Sequence, residues 1–213
     1  MRYTCVDTAE FLYPDITEYI RDYDCEPEDQ YDDALISALK KWISDMIYSI
    51  PENGVNAVAV CFQMGMDEND RWGADASFAY NTEEYLAAHK AENSEAKWNH
   101  CAWKEDYFAN ADDSEAVSGC VKMWLNFKGF DTDDEEFDEE EAVYCFFGCA
   151  VNAVRQLKRD GIFNERFGRD IPVLMLWGLE YPEENALFTA AANDISLLDR
   201  DFFDMCGCSF PKL

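Results

Sequence analysis

The side chains that most often carry catalysis are scarce in this chain of 213 residues. Its two histidines are His89 and His100, and a base that works near neutral pH is most often a histidine. The glycine-rich phosphate loops, the nucleophile motif G-x-S-x-G and the zinc motif H-E-x-x-H are absent from the sequence. We therefore predict no catalytic residue and no cofactor, and we favour a binding protein over an enzyme.

A group of basic side chains offers a second kind of chemistry. Five of the 17 basic residues fall between Arg155 and Arg169, and an arginine can bind a carboxylate or phosphate through two parallel hydrogen bonds. Charge complementarity at a helix end explains part of this group without any ligand. The alternative function is therefore an enzyme or small-ligand-binding protein with a pocket near Trp98, His100 and Trp103. Its candidate contacts to an anionic ligand are His100, Arg155, Arg159, Arg166 and Arg169.

Metal binding has little support from the spacing of possible ligands. The chain has nine cysteines but no C-x-x-C, and Cys145 and Cys149, four residues apart, have no second ligand pair at a recognised spacing. We expect reduced thiols that pack mostly in the core. An EF-hand loop starting at Asp131 fails because it would need glycine at Glu136 and a bidentate glutamate at Ala142. No metal site is predicted.

Acidic residues dominate the charge, and they are concentrated in two stretches. The net charge is −28, of which residues 1–33 and residues 131–141 each contribute −9. Such a surface excludes a protein that binds nucleic acid by neutralising its phosphates. Runs of like charge are usually solvated loops, but they can also attract a basic partner and accelerate its association. The candidate partner-binding residues are Asp131, Asp133, Asp134, Glu135, Glu136 and Asp138, with Trp98 and Trp103 as aromatic anchors.

Periodic apolar residues predict the elements that must position these side chains. The composition, 48% hydrophobic and 15% aromatic, excludes a wholly disordered acidic chain. We predict an α+β fold with a small mixed or antiparallel sheet and helices packed mainly on one face, in one domain over residues 34–213. Residues 1–33 form an acidic N-terminal extension, and residues 131–141 an acidic loop. The predicted helices span 32–49, 81–91, 114–127 and 139–160, the strands 55–63, 74–80 and 171–178, and residues 187–193 form a short helix or an edge strand.

Three details of these elements are specific enough to check. Asp32 and Asp33 are predicted to cap the first long helix, Asn81 to cap the next one with Glu84 completing a capping box, and Gly161 to end the long helix that begins near residue 139. The first 20 residues contain no signal peptide, and no apolar run reaches the ~20 residues that a membrane helix requires. We therefore expect a soluble, cytoplasmic protein with no membrane partner.

Four short motifs occur in a characteristic order along the chain. They are N-T-E-E-Y at 81–85, W-x-x-x-x-W at 98–103, L-K-R-D-G-I-F at 157–163 and D-I-P-V-L-M-L-W at 170–177. Together they resemble an uncharacterised bacterial family, known as a domain of unknown function, whose members often lie near polymorphic-toxin and immunity genes. The resemblance covers roughly residues 35–200, but Ala102 replaces a glutamate common in the family, and Gly178 and Leu179 stand where an aspartate is usual.

The resemblance transfers no catalytic residue. It implies a cytoplasmic α+β domain and an immunity-like protein. An acidic surface suits rapid capture of a basic toxin. A regulatory module that mimics nucleic acid through spaced carboxylates is a further alternative.

Overall fold

The structure is a computed structural model that describes residues 15–23, 26–66, 72–89, 94–110, 115–129, 139–178 and 181–212. Four strands are described: β1 (Val55–Met66), β2 (Trp72–Thr82), β3 (Glu105–Asn110) and β4 (Val173–Leu176). The α-helices in these ranges are α1 (Thr17–Asp22), α2 (Gln30–Ser49), α3 (Glu83–His89), α4 (Glu115–Lys128), α5 (Glu139–Arg159), α6 (Ile162–Phe167), α7 (Pro182–Ala192) and α8 (Arg200–Met205).

The strands form one mixed sheet in the order β3-β2-β1-β4. β1 and β2 are the predicted hairpin, paired antiparallel from Val55 opposite Thr82 to Met66 opposite Trp72. β4 lies parallel to β1, with Val58 opposite Val173, and a parallel pair needs a long crossover, which here contains α3, α4 and α5. The predicted α+β fold is confirmed.

Two long helices account for much of the core beside this sheet. The buried residues Leu35, Leu39 and Trp42 recur along α2 at helical spacing, and α2 packs against both α4 and α5. α5 ends at Arg159, and the predicted cap Gly161 follows two residues later, where its φ of 77° suits glycine and its N–H donates to the carbonyl of Lys158 at 3.0 Å.

Aromatic contacts connect the sheet to the helices. The ring of Phe62 meets Phe146 and Phe147 edge-on at 5.0 and 5.5 Å, and Phe147 stacks on Phe188 at 4.2 Å. Such pairs add to the free energy gained by burying the rings. Helix, sheet and C-terminal region therefore share one core.

The predicted caps of α2 and α3 are wrong. Asp29 caps α2, because its carboxylate accepts hydrogen bonds from the backbone N–H groups of Tyr31 and Asp32, and the helix begins at Gln30. Asn81 is fully buried in β2, where its amide donates to the carbonyl of Ala96 at 3.3 Å. The hydroxyl of Thr82 accepts from the N–H of Tyr85 instead, so the cap of α3 lies one residue later.

The described part of the acidic extension packs with the domain. Ile16 and Ile20 are buried in the common core, and α1 contacts α7. The first turn of α2 also lies within residues 1–33. Residues 187–193, predicted as a helix or a strand, belong largely to α7. Among the described residues, no helix is both long and apolar enough to cross a bilayer.

Candidate functional site

A cavity of about 390 Å³ opens beside the N-terminal end of α2, where α1, α4, α5 and α7 approach one another. Three tyrosines, three acids, one lysine and two thiols line it together with Gly148 and Leu187. These polar residues are Tyr19, Tyr23, Tyr144, Glu26, Glu28, Asp32, Lys128, Cys145 and Cys149. Its volume falls in the range of small-ligand pockets, roughly 300–1,000 Å³.

Asp32 forms the base of this cavity and is a buried carboxylate, 4% exposed. It accepts a hydrogen bond from the indole N–H of Trp124 at 2.7 Å and another from the backbone N–H of Glu28 at 2.9 Å. The ammonium of Lys128 lies 3.0 Å from its second oxygen. Burial is the largest single influence on the pKa of Asp32 and raises it, but these three donors together outweigh burial and leave the pKa below its ordinary value.

Lys128 is the cationic partner of three carboxylates. Its ammonium lies 3.0 Å from both Asp29 and Asp32 and 3.3 Å from Glu28, and its side chain is 15% exposed. Burial opposes the charge of Lys128, yet the surrounding carboxylates prevail and raise its pKa above the ordinary value. The cap of α2, the base of the cavity and the last turn of α4 are thus joined by one ionic network.

The tyrosines form the aromatic wall of the cavity. The hydroxyl of Tyr23 donates to the backbone carbonyl of Tyr144 at 3.0 Å, and both rings contact Phe188, with centroids 5.7 and 5.4 Å away. Tyr19 is 68% exposed, so it lies at the open side of the cavity. Part of the wall is therefore fixed by packing, while its outer edge faces solvent.

The two thiols in the wall are poorly suited to nucleophilic chemistry. Burial raises the pKa of the Cys149 thiol, and the Asp32 carboxylate, 3.7 Å from its sulfur, raises it further. Burial and the nearby Glu141 likewise raise the pKa of Cys145. A thiol with a raised pKa holds little thiolate at neutral pH. Within the ranges that the structure describes, no group of three or more His, Cys, Asp or Glu is placed to hold a metal ion.

Taken together, the lining carries three carboxylates against one ammonium, and three tyrosines contribute to its walls. Carboxylates attract a cation by charge, and tyrosine faces attract it through the negative potential of the ring. The arrangement can therefore hold an organic cation, such as a guanidinium or ammonium group.

Comparison with known protein families assigns the chain to one of these families. A family described as Domain of unknown function (DUF4303) matches residues 59–194. The chain belongs to the DUF4303 family. No curated protein and no solved structure matches it. The sequence resemblance to a domain of unknown function is thereby confirmed, and the matched region includes Lys128, Tyr144, Cys145 and Cys149 from the cavity wall.

In this DUF4303 protein the two predicted aromatic anchors are buried. Trp98 and Trp103 are 2% and 4% exposed. The indole of Trp98 donates to Asp199 at 2.7 Å and packs against Phe202, and that of Trp103 donates to the carbonyl of Lys97 at 3.3 Å. Both side chains are thus used in packing and hydrogen bonding within the fold, and neither presents its ring to a partner in this conformation.

The predicted anion-binding residues do not line the cavity. Arg155 donates to the carbonyl of Ala191 at 2.7 Å, and Arg169 pairs with Glu83 at 2.5 Å. Arg166 donates to the carbonyl of Ile50, Arg159 is exposed at the end of α5, and His100 lies beside Cys101, with 3.5 Å between ring nitrogen and sulfur. These five side chains lie on several elements and none of them lines the cavity, so the cavity gives no support to the predicted pocket near Trp98, His100 and Trp103.

The acidic run carries the remaining predicted site residues. Its predicted partner-binding residues lie outside the described residues; they are Asp131, Asp133, Asp134, Glu135, Glu136 and Asp138. Their role stays a prediction.

Sequence reasoning missed the cavity, but one signal for it was present. Asp32 precedes Leu35 by three positions and Leu39 by seven, so it shares the buried face of α2. An acid on an apolar helix face needs buried donors, which here are supplied by Trp124 and Lys128.

Proposed function

We propose that this DUF4303 protein is a binding protein that captures a basic protein partner through its acidic surface, and that the cavity receives a lysine or arginine side chain of that partner. The observation that carries the proposal is the excess of carboxylates over ammonium groups in a cavity walled by three tyrosines. A cation that enters it gains both ionic and cation–π attraction.

The acids of the cavity divide into two kinds. Asp32 is buried and already neutralised by Lys128, so its contribution is to hold that lysine in place. Glu26 and Glu28 are exposed, and the side chain of Glu28 is 83% exposed although its carboxylate lies 3.3 Å from the ammonium of Lys128. An incoming cation therefore meets these two carboxylates first, with Tyr19 beside them.

The net charge of the chain supports rapid capture. At −28 it creates a long-range field that draws a positive partner, and such steering raises association rates by roughly 10–10³-fold at low salt. Exposed carboxylates at the cavity mouth then favour one orientation of the encounter, because they attract the most basic part of the partner. The net charge therefore supports a high association rate, and the cavity supports a specific orientation of the bound partner.

The kind of partner is inferred from the family resemblance. Immunity proteins bind toxins, many of which are basic nucleases, and they act in the cytoplasm of the cell that they protect. We therefore propose an immunity-like role in the cytoplasm, with a basic toxin as the partner. Co-expression tests this role directly: the chain should restore growth to cells that produce a basic toxin encoded beside it, and continued killing would contradict the role.

A peptide titration tests the cavity itself. The probe is a short glycine peptide with one central arginine, compared by calorimetry with the same peptide carrying citrulline, which is nearly isosteric but uncharged. We expect the arginine peptide to bind more tightly. Replacing Glu26 and Glu28 by glutamine should weaken it about fivefold, since two exposed carboxylates contribute about 1 kcal/mol together.

The control is the double variant Asp201→Asn with Asp204→Asn on α8, which changes the net charge equally at exposed positions outside the cavity lining. It should change the affinity less than twofold. Equal binding of arginine and citrulline peptides, or equal effects of the two double variants, would contradict the proposed role of the cavity.

A further inference from the structure

Two large apolar side chains are exposed on α4, the helix that supplies Lys128 to the cavity wall. Met123 and Phe127 lie four residues apart, so they share one face of the helix, and they are 52% and 56% exposed. The other side of α4 is buried through Trp124 and Leu125. A surface helix normally turns its apolar side chains inward and its polar side chains outward. The outward face of α4 therefore carries apolar area that the core does not use.

A third side chain extends this face onto α2. The ring of Tyr31 stacks on the ring of Phe127, with centroids 3.7 Å apart and planes inclined by 14°. We call Tyr31, Met123 and Phe127 the apolar strip. Stacking holds the ring of Phe127 in one position, so part of the strip is preorganised. Preorganisation reduces the entropy that is lost when another side chain covers such a surface.

The apolar strip borders the cavity. Phe127 precedes Lys128 and Tyr31 precedes Asp32, and both Lys128 and Asp32 line the cavity. Asp29 connects the two helices at this point. Its carboxylate accepts from the N–H of Tyr31 at 2.8 Å and lies 3.0 Å from the ammonium of Lys128. The ionic network at the cavity base therefore also fixes the position of the strip.

Grouping distinguishes the strip from ordinary exposed apolar residues. In the part of the chain that the structure describes, five large apolar side chains are exposed. Tyr19 lies in the cavity lining, and Met123 and Phe127 lie in the strip, whereas Tyr48 is near the end of α2 and Met205 ends α8. Single exposed apolar residues are common on protein surfaces, but groups of them mark interaction sites.

Charges next to the strip indicate what kind of partner it suits. The charged residues within two positions of the strip along the chain are the acids Asp29, Asp32 and Asp33 and the bases Lys122 and Lys128. Lys128 is already paired with Asp29 and Asp32 and also contacts Glu28. Acid is therefore in excess around the strip, as it is in the cavity. A segment that carries both basic and apolar side chains complements the two surfaces together.

We propose that the apolar strip receives a large apolar side chain of the same basic partner, located roughly two to four residues from the lysine or arginine that enters the cavity. This inference rests on the proposed function, because the cavity determines where the basic side chain lies. An extended chain advances about 3.3 Å per residue, so this separation spans roughly 7–13 Å. Such a span suits two sites that are built from adjacent residues of α2 and α4.

Calorimetry with extended versions of the arginine peptide tests the strip. The probes are glycine peptides with one arginine and one leucine, placed two, three or four residues apart in either order. We expect the best of them to bind about fivefold more tightly than the peptide with arginine alone, because complete burial of a leucine contributes a factor of about ten or more. The double variant Met123→Gln with Phe127→Gln should remove this gain and leave the affinity for the arginine peptide within about twofold. Because salt screens charges and not apolar contacts, the gain should persist at high salt.

The control is the double variant Tyr48→Gln with Met205→Gln, which removes two exposed apolar side chains outside the strip and the cavity lining. It should keep the full gain from leucine. If the double variant of the strip does not fold, Met123→Gln alone decides, since it leaves the stacked pair of Tyr31 and Phe127 in place. The single variant should reduce the gain at least twofold, and an unchanged gain overturns the inference.

The outcomes separate this inference from the proposed function. If leucine adds nothing at any spacing while arginine is still preferred over citrulline, the strip has no role in binding and the role of the cavity stands. Equal binding of the arginine and citrulline peptides overturns both. Light scattering covers the remaining occupant: a wild-type dimer that the double variant of the strip abolishes would assign the strip to a second copy of this chain and overturn the inference.

Discussion

Replacing Asp32 by asparagine tests whether the ionic network at the cavity base holds the fold together. The carboxylate accepts from the Trp124 indole at 2.7 Å and the Glu28 N–H at 2.9 Å, and it pairs with Lys128 at 3.0 Å. Asparagine keeps the shape and one acceptor oxygen. Its NH₂ group then faces a donor, so either the Trp124 bond survives or the contacts on the other oxygen do.

The magnitude follows from those contacts. A hydrogen bond to a charged group contributes about 1.5–3 kcal/mol, and breaking one side of a buried ion pair costs about 3–5 kcal/mol. Lys128 retains Asp29 at 3.0 Å and Glu28 at 3.3 Å, which reduces the loss. We therefore expect Asp32→Asn to lower the free energy of unfolding at neutral pH by about 3 kcal/mol.

The same reasoning fixes the pH dependence. The pKa of Asp32 in the folded protein is below its ordinary value of 3.8, since the donors that surround the carboxylate outweigh its burial. A carboxyl group with a depressed folded pKa stabilises the protein fully above its unfolded pKa and loses that contribution as pH falls through the folded value. The deficit of Asp32→Asn should therefore be constant from pH 7 to about pH 5 and shrink below about pH 4.

Urea unfolding followed by circular dichroism at several pH values measures this difference. The control is Asp33→Asn, an exposed acid in the same first turn of α2, which shares the favourable helix dipole but not the buried network. At pH 7 it should lose less than about 1 kcal/mol. Equal losses in the two variants, or a deficit of Asp32→Asn that stays constant down to pH 3, would refute the reasoning.

Two further predictions concern other acids of the chain. Asp199 caps α8 through the N–H of Phe202 and also binds the Trp98 indole and Lys97, so Asp199→Ala should lower the unfolding free energy by about 2–3 kcal/mol in thermal denaturation. Asp194→Ala, which removes a cap of a single 3₁₀ turn, should lose about 1 kcal/mol and serves as its control. Deleting residues 131–141 should slow association with the proposed basic partner and flatten its salt dependence in stopped-flow measurements. A deletion variant with the same rate and the same salt dependence as wild type would contradict a steering role for this stretch.

The long elements could be predicted because their signals are local. Apolar residues recur along α2 and α5 at helical spacing, and β1 is a run of strand-forming residues bounded by Gly54. Gly161 follows the end of α5 as predicted for the same reason, since a glycine after a helix can adopt a positive φ. Such features depend only on residues within a few positions of one another, so the sequence alone is enough to predict them.

The caps failed where tertiary contacts decided the outcome. Asn81 fits the cap pattern, but its amide is drawn into the core by the carbonyl of Ala96, fifteen residues later. Asp32 fits the pattern equally well, yet its donors are Trp124 and Lys128, more than ninety positions away. Several neighbouring acids could each cap the helix. Contacts with residues far along the chain decide which of them does, and the sequence does not show those contacts.

The cavity could not be predicted for the same reason. Its wall combines Tyr19, Asp32, Lys128, Tyr144 and Leu187, which come together only when α2 packs against α4 and α5 and α7 packs against α1 and α5. Each residue alone has an ordinary explanation as a surface or core side chain. The contacts between α7 and β4 were equally hidden, because Asn185, Thr189 and Asn193 acquire meaning only beside the backbone groups of Trp177, Met175 and Val173 that they bond.

The net charge has a consequence that follows from how the basic residues are used. Lys128 and Lys158 are paired with carboxylates at 3.0 and 2.8 Å, and Arg155 and Arg166 donate to backbone carbonyls. The whole chain has 45 acids and 17 basic residues, so most of its acids have no basic side chain to neutralise them. Outward negative charge then remains for counterions, and a basic partner that displaces those counterions gains affinity from their release as well as from direct contact. The binding of such a partner should therefore weaken steeply as salt concentration rises.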